Sequence, residues 1–330
     1  MRSKILLNPG PTNTRFMTKI KQWIGTDKCH RESDFLDVLN DIQITLKDQV
    51  YTSDKAGVAI MAGSGTTAME SMIASLVEDG VYVINAGQYG QRAIEMMATF
   101  KIKYNEIKSN NIDDLNPSKQ ITKIYFVENE TTSGEKYSLD KMIQLFPNAK
   151  FYIDATSAFG ASTYTTFKDR IIGLSFCGNK CLQSTPGLGI VVWNGVDQLF
   201  ARSYIGDLNK YGLNKLPFTL PTQSVYALRH AIKYSLDNER IFNLRKSKLI
   251  SALHKIGIKC LNTNPSNSII GFQHPKLTYQ ELEFFLKKRN IVIYSGIKNI
   301  DNSFRIATMS VLFDRKFTQI IGAFDETCIH

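Results

Sequence analysis

Short apolar segments alternate with amphipathic ones over the first two thirds of the chain. Six runs rich in β-branched and aromatic residues have the length and the continuous hydrophobicity of buried strands. These predicted strands span 57–61, 81–85, 123–127, 151–153, 171–176 and 189–193. Apolar residues recur at helical spacing over 66–78, 91–99 and 138–145. The alternation predicts an α/β fold with a large, mostly parallel sheet covered by helices on both faces.

The pattern changes in the last third of the chain. A long helical stretch covers 224–240. Further strands are predicted at 268–272, 291–294 and 303–306. We therefore predict a large ligand-binding domain over residues 1–238, which includes the N-terminal segment, and a smaller α+β domain over 239–330. A continuous helix near 236–245 should join the two domains, because no low-complexity linker separates them.

Composition is that of a globular protein with an ordinary core. Of the 330 residues, 43% are hydrophobic and 21% are charged, which argues against disorder and fibrous repeats. No apolar run approaches the roughly 20 residues that cross a bilayer, and residues 1–10 lack the apolar stretch of a secretory signal. We expect a cytoplasmic protein with no membrane partner.

The net charge of +10 narrows the class of ligand. The lysines of the chain are spread without a dense basic run, which favours small anions over nucleic acid as ligands. The five cysteines are odd in number and scattered, so reduced thiols are the simplest interpretation. The five histidines show no paired spacing, and we predict no metal site.

A small-residue turn is the first candidate for chemistry. Ser64, Gly65 and Thr66 lie between a predicted strand and the start of a helix. The free N–H groups of that helix start would bind a phosphate. Glycine-rich turns of this kind are as often purely structural, so the turn alone does not decide function.

Two ionisable residues follow predicted strands. Asp154 ends the strand near 151–153, and Lys180 lies in the polar loop after the strand 171–176. Parallel strands place such residues at one sheet edge, the usual ligand edge of α/β folds. Separately, the aspartate would be a helix cap and the lysine a surface residue. Together with the turn at Ser64, they supply what pyridoxal phosphate needs: a phosphate cradle, an amine for the aldehyde and a carboxylate for the ring nitrogen.

Several ordered motifs resemble the class V group of fold type I pyridoxal-phosphate-dependent aminotransferases over nearly the whole chain. The matching segments are 8–12 (Asn-Pro-Gly-Pro-Thr), 62–66 (Ala-Gly-Ser-Gly-Thr), 87–92 (Gly-Gln-Tyr-Gly-Gln-Arg), 130–134 (Glu-Thr-Thr-Ser-Gly), 153–160 and 178–181 (Gly-Asn-Lys-Cys). The resemblance implies a fold type I architecture, with pyridoxal 5'-phosphate as the cofactor.

The resemblance also implies roles for single residues. Lys180 would carry the cofactor as a Schiff base and move the proton, with Asn179 beside it, and Asp154 would pair with the ring nitrogen. Tyr89 would stack on the cofactor ring, and Thr131 would lie beside it.

Three further residues concern the substrate and a second subunit. Arg305 matches the family arginine that grips the acidic end of the substrate, and Arg31 is the candidate for a second cation. Thr219 lies in a segment that resembles the one a neighbouring subunit contributes to the cofactor phosphate, which implies a homodimer with shared active sites. Within class V, the likeness is greatest to the subgroup that exchanges an amino group between 2-aminoethylphosphonate and pyruvate.

Other functions remain open on the sequence alone. The same chemistry would serve an alanine or serine aminotransferase that uses glyoxylate or pyruvate, or a sugar-linked amine. Class V also contains desulfurases and lyases, and Cys328 is the one loosely placed candidate for a reactive cysteine. A binding module that retains the fold without catalysis is the remaining possibility. In every catalytic case the expected ligands are a small amino donor and a 2-oxo acid.

Overall fold

The computed structural model describes residues 4–24, 29–51, 53, 55–195, 199–213 and 215–329. Numbered along the chain, its strands are β1 (Ile5–Leu6), β2 (Gly57–Gly63), β3 (Val81–Asn85), β4 (Tyr104–Lys108), β5 (Lys123–Val127), β6 (Asn129–Glu130), β7 (Glu135–Lys136), β8 (Lys150–Asp154), β9 (Ile171–Cys177), β10 (Gly187–Trp193), β11 (Lys259–Cys260), β12 (Ile269–Gln273), β13 (Ile291–Val292), β14 (Tyr294–Ser295) and β15 (Ser303–Ala307). Its α-helices are α1 (Phe16–Trp23), α2 (Ser33–Asp48), α3 (Gly65–Leu76), α4 (Gln88–Thr99), α5 (Leu139–Leu145), α6 (Thr222–Ser235), α7 (Glu239–Lys255), α8 (Tyr279–Lys288) and α9 (Phe317–Ile329).

A seven-stranded sheet forms the centre of the fold. Its strand order is β2-β10-β9-β8-β5-β3-β4. Only β10 runs antiparallel to its neighbours, and the other adjacent strands are parallel. The predicted α/β fold with a mostly parallel sheet is therefore confirmed, and all six predicted strands belong to this sheet. The edge strand β4 was not predicted, because its sequence Tyr-Asn-Glu-Ile-Lys is only partly buried and mostly polar.

Two hydrophobic clusters cover the faces of this sheet. One contains apolar side chains of α2, α5 and α6, and the other contains those of α3 and α4. Side chains of β3 contribute to both clusters, because successive residues point to opposite faces of the sheet. Val81 and Val83 pack in the second cluster, and Ile84 packs in the first. Burial on both faces explains why these strands have continuous apolar sequences.

A smaller antiparallel sheet lies in the C-terminal third, in the order β11-β12-β15-β14. Helices α7, α8 and α9 share one hydrophobic cluster with it. The N-terminal strand β1 pairs in parallel with β13, so Ile5 and Leu7 pack in that same cluster. Residues 5–7 thus contact the C-terminal region, and the division at residue 238 stays a prediction.

The predicted continuous helix near 236–245 is wrong. Helix α6 ends at Ser235 and α7 begins at Glu239. Between them Asp237 has a φ of 56°, a left-handed conformation that interrupts an α-helix and that aspartate tolerates better than most residues. The side chain of Asn238 donates to the carbonyl of Tyr234 at 2.9 Å and so closes the end of α6. The strand predicted over 291–294 is likewise two short strands, β13 and β14.

The described helices are short and mostly amphipathic. The longest, α7, has 17 residues and carries several lysines and arginines. Over the ranges given above, no helix combines the length and the apolar character that crossing a membrane requires.

Candidate active site

Asp154 lies at the carboxyl end of β8, in the middle of the seven-stranded sheet. Its side chain is buried, and Oδ1 accepts a hydrogen bond from the backbone N–H of Thr156 at 2.9 Å. Burial raises the pKa of Asp154 from 3.8 to about 6, although the hydrogen bonds from Thr156 act in the opposite direction. The charge of Glu130 contributes to the increase in this pKa, and the charge of Lys180 opposes it. A cation beside this carboxylate would restore its charge.

Lys180 lies in the turn between β9 and β10 and is half-buried. The N–H of Gln183 closes the turn by donating to the carbonyl of Lys180 at 2.9 Å. The lysine Nζ donates to the carbonyl of Pro9. Gly10 has a φ of +137°, and a Cβ there would lie 2.8 Å from Cδ of Lys180. The N-terminal Asn-Pro-Gly-Pro motif therefore packs against the lysine side chain, and only glycine fits at position 10.

The predicted phosphate turn connects β2 to α3. Ser64 has an extended backbone before the helix, and its N–H donates to Oγ1 of Thr67 at 3.1 Å. Gly65 and Thr66 form the first helical turn, whose N–H groups have no acceptor within the helix. A Cβ at Gly65 would lie 2.8 Å from Cγ2 of Thr156, so the turn closely approaches the loop after Asp154. Such a helix start suits a phosphate.

Tyr89 lies in the first turn of α4 and is half-buried. The guanidinium of Arg92 lies 4.8 Å from its ring centroid and donates to Oγ1 of Thr66 at 3.0 Å. Burial raises the pKa of Tyr89, Arg92 lowers it, and the charges of Asp154 and Glu130 raise it. Arg92 thus links the tyrosine to the phosphate turn.

Thr131 is buried directly after β6. Its Oγ1 shares a hydrogen bond with Oγ of Ser157 at 3.0 Å, three residues beyond Asp154. Its carbonyl accepts a hydrogen bond from Nη1 of Arg305. This threonine therefore joins the end of β8 to the predicted substrate arginine.

Arg305 lies on β15 and is only 5% exposed. Its Nε donates to the carbonyl of Ser295 at 2.7 Å, and its guanidinium lies 5.0 Å from the ring centroid of Tyr294. Burial lowers the pKa of Arg305, while Tyr294 acts to raise it. Within the described ranges, no aspartate or glutamate forms an ion pair with this guanidinium. A buried cation that lacks a carboxylate partner favours an anionic ligand.

An open cleft of about 1510 Å³ lies beside Arg305. It is bounded by the start of α4 on one side and by the segment between β14 and β15 on the other. Arg92 and Lys298 also line it, so three basic side chains face the same space. The lining also contains the carboxylates of Glu95, Glu135 and Asp301.

Not every predicted site residue joins this group. Arg31 is exposed before α2, forms no hydrogen bond or ion pair with another described residue and does not line the cleft. Thr219 is exposed before α6, and Asn179 is half-buried in the turn of Lys180. The roles of these three residues stay predictions.

Sequence reasoning gave no role to two residues that the structure places in the site. Arg92 belongs to the motif at 87–92, and an arginine three residues after Tyr89 on a helix shares its face. Glu130 is fully buried and accepts a hydrogen bond from the N–H of Tyr89 at 3.3 Å. Its only local signal is its place at the start of the Glu-Thr-Thr-Ser-Gly motif at 130–134.

The cysteines give no support to a desulfurase. All five are free thiols. Cys328 lies on α9 with Sγ 3.6 Å from Nε2 of His274, and burial raises its pKa. A helical thiol of low acidity is not the mobile, reactive cysteine that the alternative needs. Groups of three or more histidine, cysteine, aspartate or glutamate side chains suited to a metal ion are absent from the described residues.

The donor set fits pyridoxal phosphate. A helix start offers N–H groups to a phosphate, and the buried Asp154, with its raised pKa, suits a protonated ring nitrogen. Lys180 presents an amine to an aldehyde, and Tyr89 offers an aromatic face. Each part of the cofactor therefore has a chemically matched residue.

Comparisons with known proteins agree with this geometry. No family model matches the chain. A curated protein of Bacteroides fragilis called 2-aminoethylphosphonate–pyruvate transaminase is 25% identical over 367 aligned residues, which cover 99% of both chains. The solved aspartate aminotransferase of subgroup IV from Thermus thermophilus has a TM-score of 0.86 at 19% identity and covers 98% of both chains. An alanine–glyoxylate aminotransferase from Nostoc sp. has a TM-score of 0.84 at 19% identity, over 100% of this chain and 96% of its own.

The sequence likeness extends over the full length, and the structural likeness confirms the predicted fold. The resemblance inferred from the ordered motifs is therefore confirmed, as are the expected cofactor and the expected class of enzyme. In sequence and in fold the chain is similar to the class V, fold type I aminotransferases that depend on pyridoxal phosphate.

Proposed function

We propose that the protein transfers an amino group between 2-aminoethylphosphonate and pyruvate, forming phosphonoacetaldehyde and alanine, in either direction. The observation that carries the proposal is the buried Arg305, which has no carboxylate partner in the described residues and opens onto the cleft. Both substrates have an acidic end that a guanidinium binds through parallel hydrogen bonds. The name of the Bacteroides fragilis relative supports the choice of amino donor.

Each residue of the site has a distinct part in this reaction. When bound, pyridoxal phosphate supplies an aldehyde that takes up the amino group and a ring that accepts electrons. Lys180 would hold the cofactor with its Nζ, and the same atom would accept and return the proton of the substrate carbon. Asp154 would hold the proton on the ring nitrogen, and Tyr89 would offer its aromatic face to the ring. Arg305 orients the acidic end of the substrate.

A phosphonate carries more charge than a carboxylate and therefore favours a second cation. Arg31 is the residue proposed from the sequence, and its exposed guanidinium has no partner among the described residues. Arg92 is a second candidate, because it lines the same cleft as Arg305. Comparing variants of the two arginines with phosphonate and carboxylate donors separates these possibilities.

We propose a cytoplasmic homodimer. Several large apolar side chains of the described residues remain uncovered, among them Phe16 (76% exposed), Trp23 (89%) and Tyr204 (76%). Exposed apolar surface of this kind is typical of an interface. Thr219 is also exposed, as expected of a residue that contacts the cofactor phosphate of a second subunit. Sedimentation of the purified protein at several concentrations tests the stoichiometry, and a single monomeric species would contradict it.

Coupled formation of alanine tests the proposed substrates. Purified holoprotein is mixed with 2-aminoethylphosphonate and pyruvate, and both alanine and the aldehyde are quantified. The proposal predicts equal amounts of the two products. An alanine or serine aminotransferase that uses glyoxylate or pyruvate is the competing function, because Arg305 suits a carboxylate equally well. Turnover with carboxylate donors and none with the phosphonate would establish that alternative.

A further inference from the structure

A buried carboxylate caps the start of α4 from outside the helix. Oε2 of Glu130 accepts the backbone N–H of Tyr89 at 3.3 Å. Oε1 accepts the N–H and the hydroxyl of Thr132 at 3.0 and 2.5 Å. Oγ1 of Thr132 in turn accepts the N–H of Gln88 at 3.3 Å. Two N–H groups that the helix leaves unpaired are therefore bound by a different segment of the chain.

The contact is closely packed. A Cβ at Gly87 would lie 2.7 Å from Cδ of Glu130 and 2.6 Å from Oγ1 of Thr132. Among the described residues, Glu130 has no ion pair with a lysine or arginine. Its negative charge instead faces the positive end of the α4 dipole, which is a favourable arrangement. Glu130 thus holds both the position of the helix start and the loop that precedes it.

The next residue extends this contact to the substrate side of the site. The carbonyl of Thr131 accepts a hydrogen bond from Arg305, and its hydroxyl bonds to Ser157. Residues 130–132 therefore bond on one side to the helix that carries Tyr89 and on the other to Arg305. A shift of this segment would therefore move Tyr89 relative to Arg305, although the carbonyl of Ser295 also holds the guanidinium.

We propose that Glu130 is a positioning residue, whose carboxylate fixes Tyr89 against the cofactor and, through Thr131, sets the place of Arg305. The part that concerns Arg305 rests on the proposed function, whereas the part that concerns Tyr89 requires only cofactor binding. In Glu130→Gln, an NH2 group replaces one acceptor oxygen. It would face either the N–H of Tyr89 or the donors of Thr132, and two donors cannot satisfy each other.

The chain offers a matched control. Glu128 is also buried, lies two residues earlier, accepts the hydroxyl of Tyr164 at 2.5 Å and pairs with Lys136 at 3.8 Å. It makes no hydrogen bond to Tyr89 or Arg305. Glu128→Gln therefore reports the general effect of altering a buried carboxylate in this region.

The test compares the two holoenzyme variants with the wild type. We expect Glu130→Gln to weaken cofactor binding and to raise KM for the amino donor, each by about tenfold, which is the effect of one lost hydrogen bond with an unsatisfied donor. The visible circular dichroism of the bound cofactor should also change, because it reports the position of the ring in its site. Glu128→Gln should keep cofactor affinity, dichroism and KM within about twofold of wild type, whatever its effect on thermal stability.

Wild-type values in Glu130→Gln, or equal losses in both variants, would overturn the proposal. Should Glu130→Gln fail to fold, Thr132→Val removes the hydroxyl that joins Gln88 to Glu130. That variant should shift the same quantities in the same direction, by about threefold, and an unchanged Thr132→Val would then refute the inference. If the wild-type enzyme showed no transaminase turnover, that result would contradict the proposed function instead. Cofactor affinity and circular dichroism would still test the role of Glu130.

Discussion

Asp154→Asn should stabilise the cofactor-free protein while it impairs catalysis. Burial raises the pKa of this carboxyl from 3.8 to about 6, so its ionised form is unfavourable in the folded chain. Each pKa unit corresponds to about 1.4 kcal/mol, which gives a penalty of about 3 kcal/mol at pH 8 as an upper estimate. Asparagine has no such charge, and its Oδ1 can still accept the N–H of Thr156. For 330 residues, 3 kcal/mol corresponds to roughly 4 °C in Tm.

The pH dependence has a definite sign. Between pH 4 and 6 the unfolded chain loses this proton before the folded chain does, so the stability of the wild type falls as pH rises through that window. The advantage of Asp154→Asn should therefore be full at pH 8 and shrink to about half near pH 5.

Thermal unfolding of both cofactor-free proteins at equal concentration, at pH 5 and pH 8, tests this reasoning. Turnover of the loaded variant should fall at least about 100-fold, because the ring nitrogen loses its anionic partner. A variant that is less stable than wild type at pH 8, or a difference independent of pH, would refute burial of the charge as the dominant effect.

Changes at four further residues test other parts of the site. Arg305→Gln should raise KM for both the amino donor and the 2-oxo acid by about 100-fold or more while the visible band of the cofactor persists, and steady-state kinetics would contradict the role of Arg305 if only kcat changed. Gly10→Ala should reduce turnover about tenfold, because the added Cβ would lie 2.8 Å from the Lys180 side chain at a φ of +137°; normal turnover would show that this contact is dispensable. Arg92→Gln should raise KM more for 2-aminoethylphosphonate than for alanine. The same measurement on Arg31→Gln shows which of the two arginines binds the phosphonate group. An equal increase in KM for both donors would exclude the arginine tested.

The sequence predicted best where burial imposes a simple pattern. Strands β3 and β5 match their predicted limits, because a strand covered on both faces must be continuously apolar and ends where polar residues begin. The edge strand β4 escaped prediction because only its partly buried side chains carry a signal. The break at Asp237 also escaped, since a left-handed residue within an amphipathic stretch leaves the hydrophobic spacing almost unchanged.

Within the site, local motifs located the ligand edge but not the contacts between distant segments. Asp154 and Lys180 were found because each follows a predicted strand. The packing of Gly10 on Lys180 joins residues 170 positions apart, and the cap that Glu130 provides for α4 joins two separate strand ends. Neither has a signature in sequence spacing. Strand ends also give no information on Arg31, which lies in an exposed turn.

The proposed function depends most directly on which lysine of the chain holds the cofactor. Reduction of the holoprotein with borohydride fixes the cofactor to whichever amine holds it, and peptide mass spectrometry then locates the modified residue. We predict a phosphopyridoxyl group on Lys180 and no such label in Lys180→Ala. A label on another lysine, or a wild-type protein that takes up no label, would contradict it.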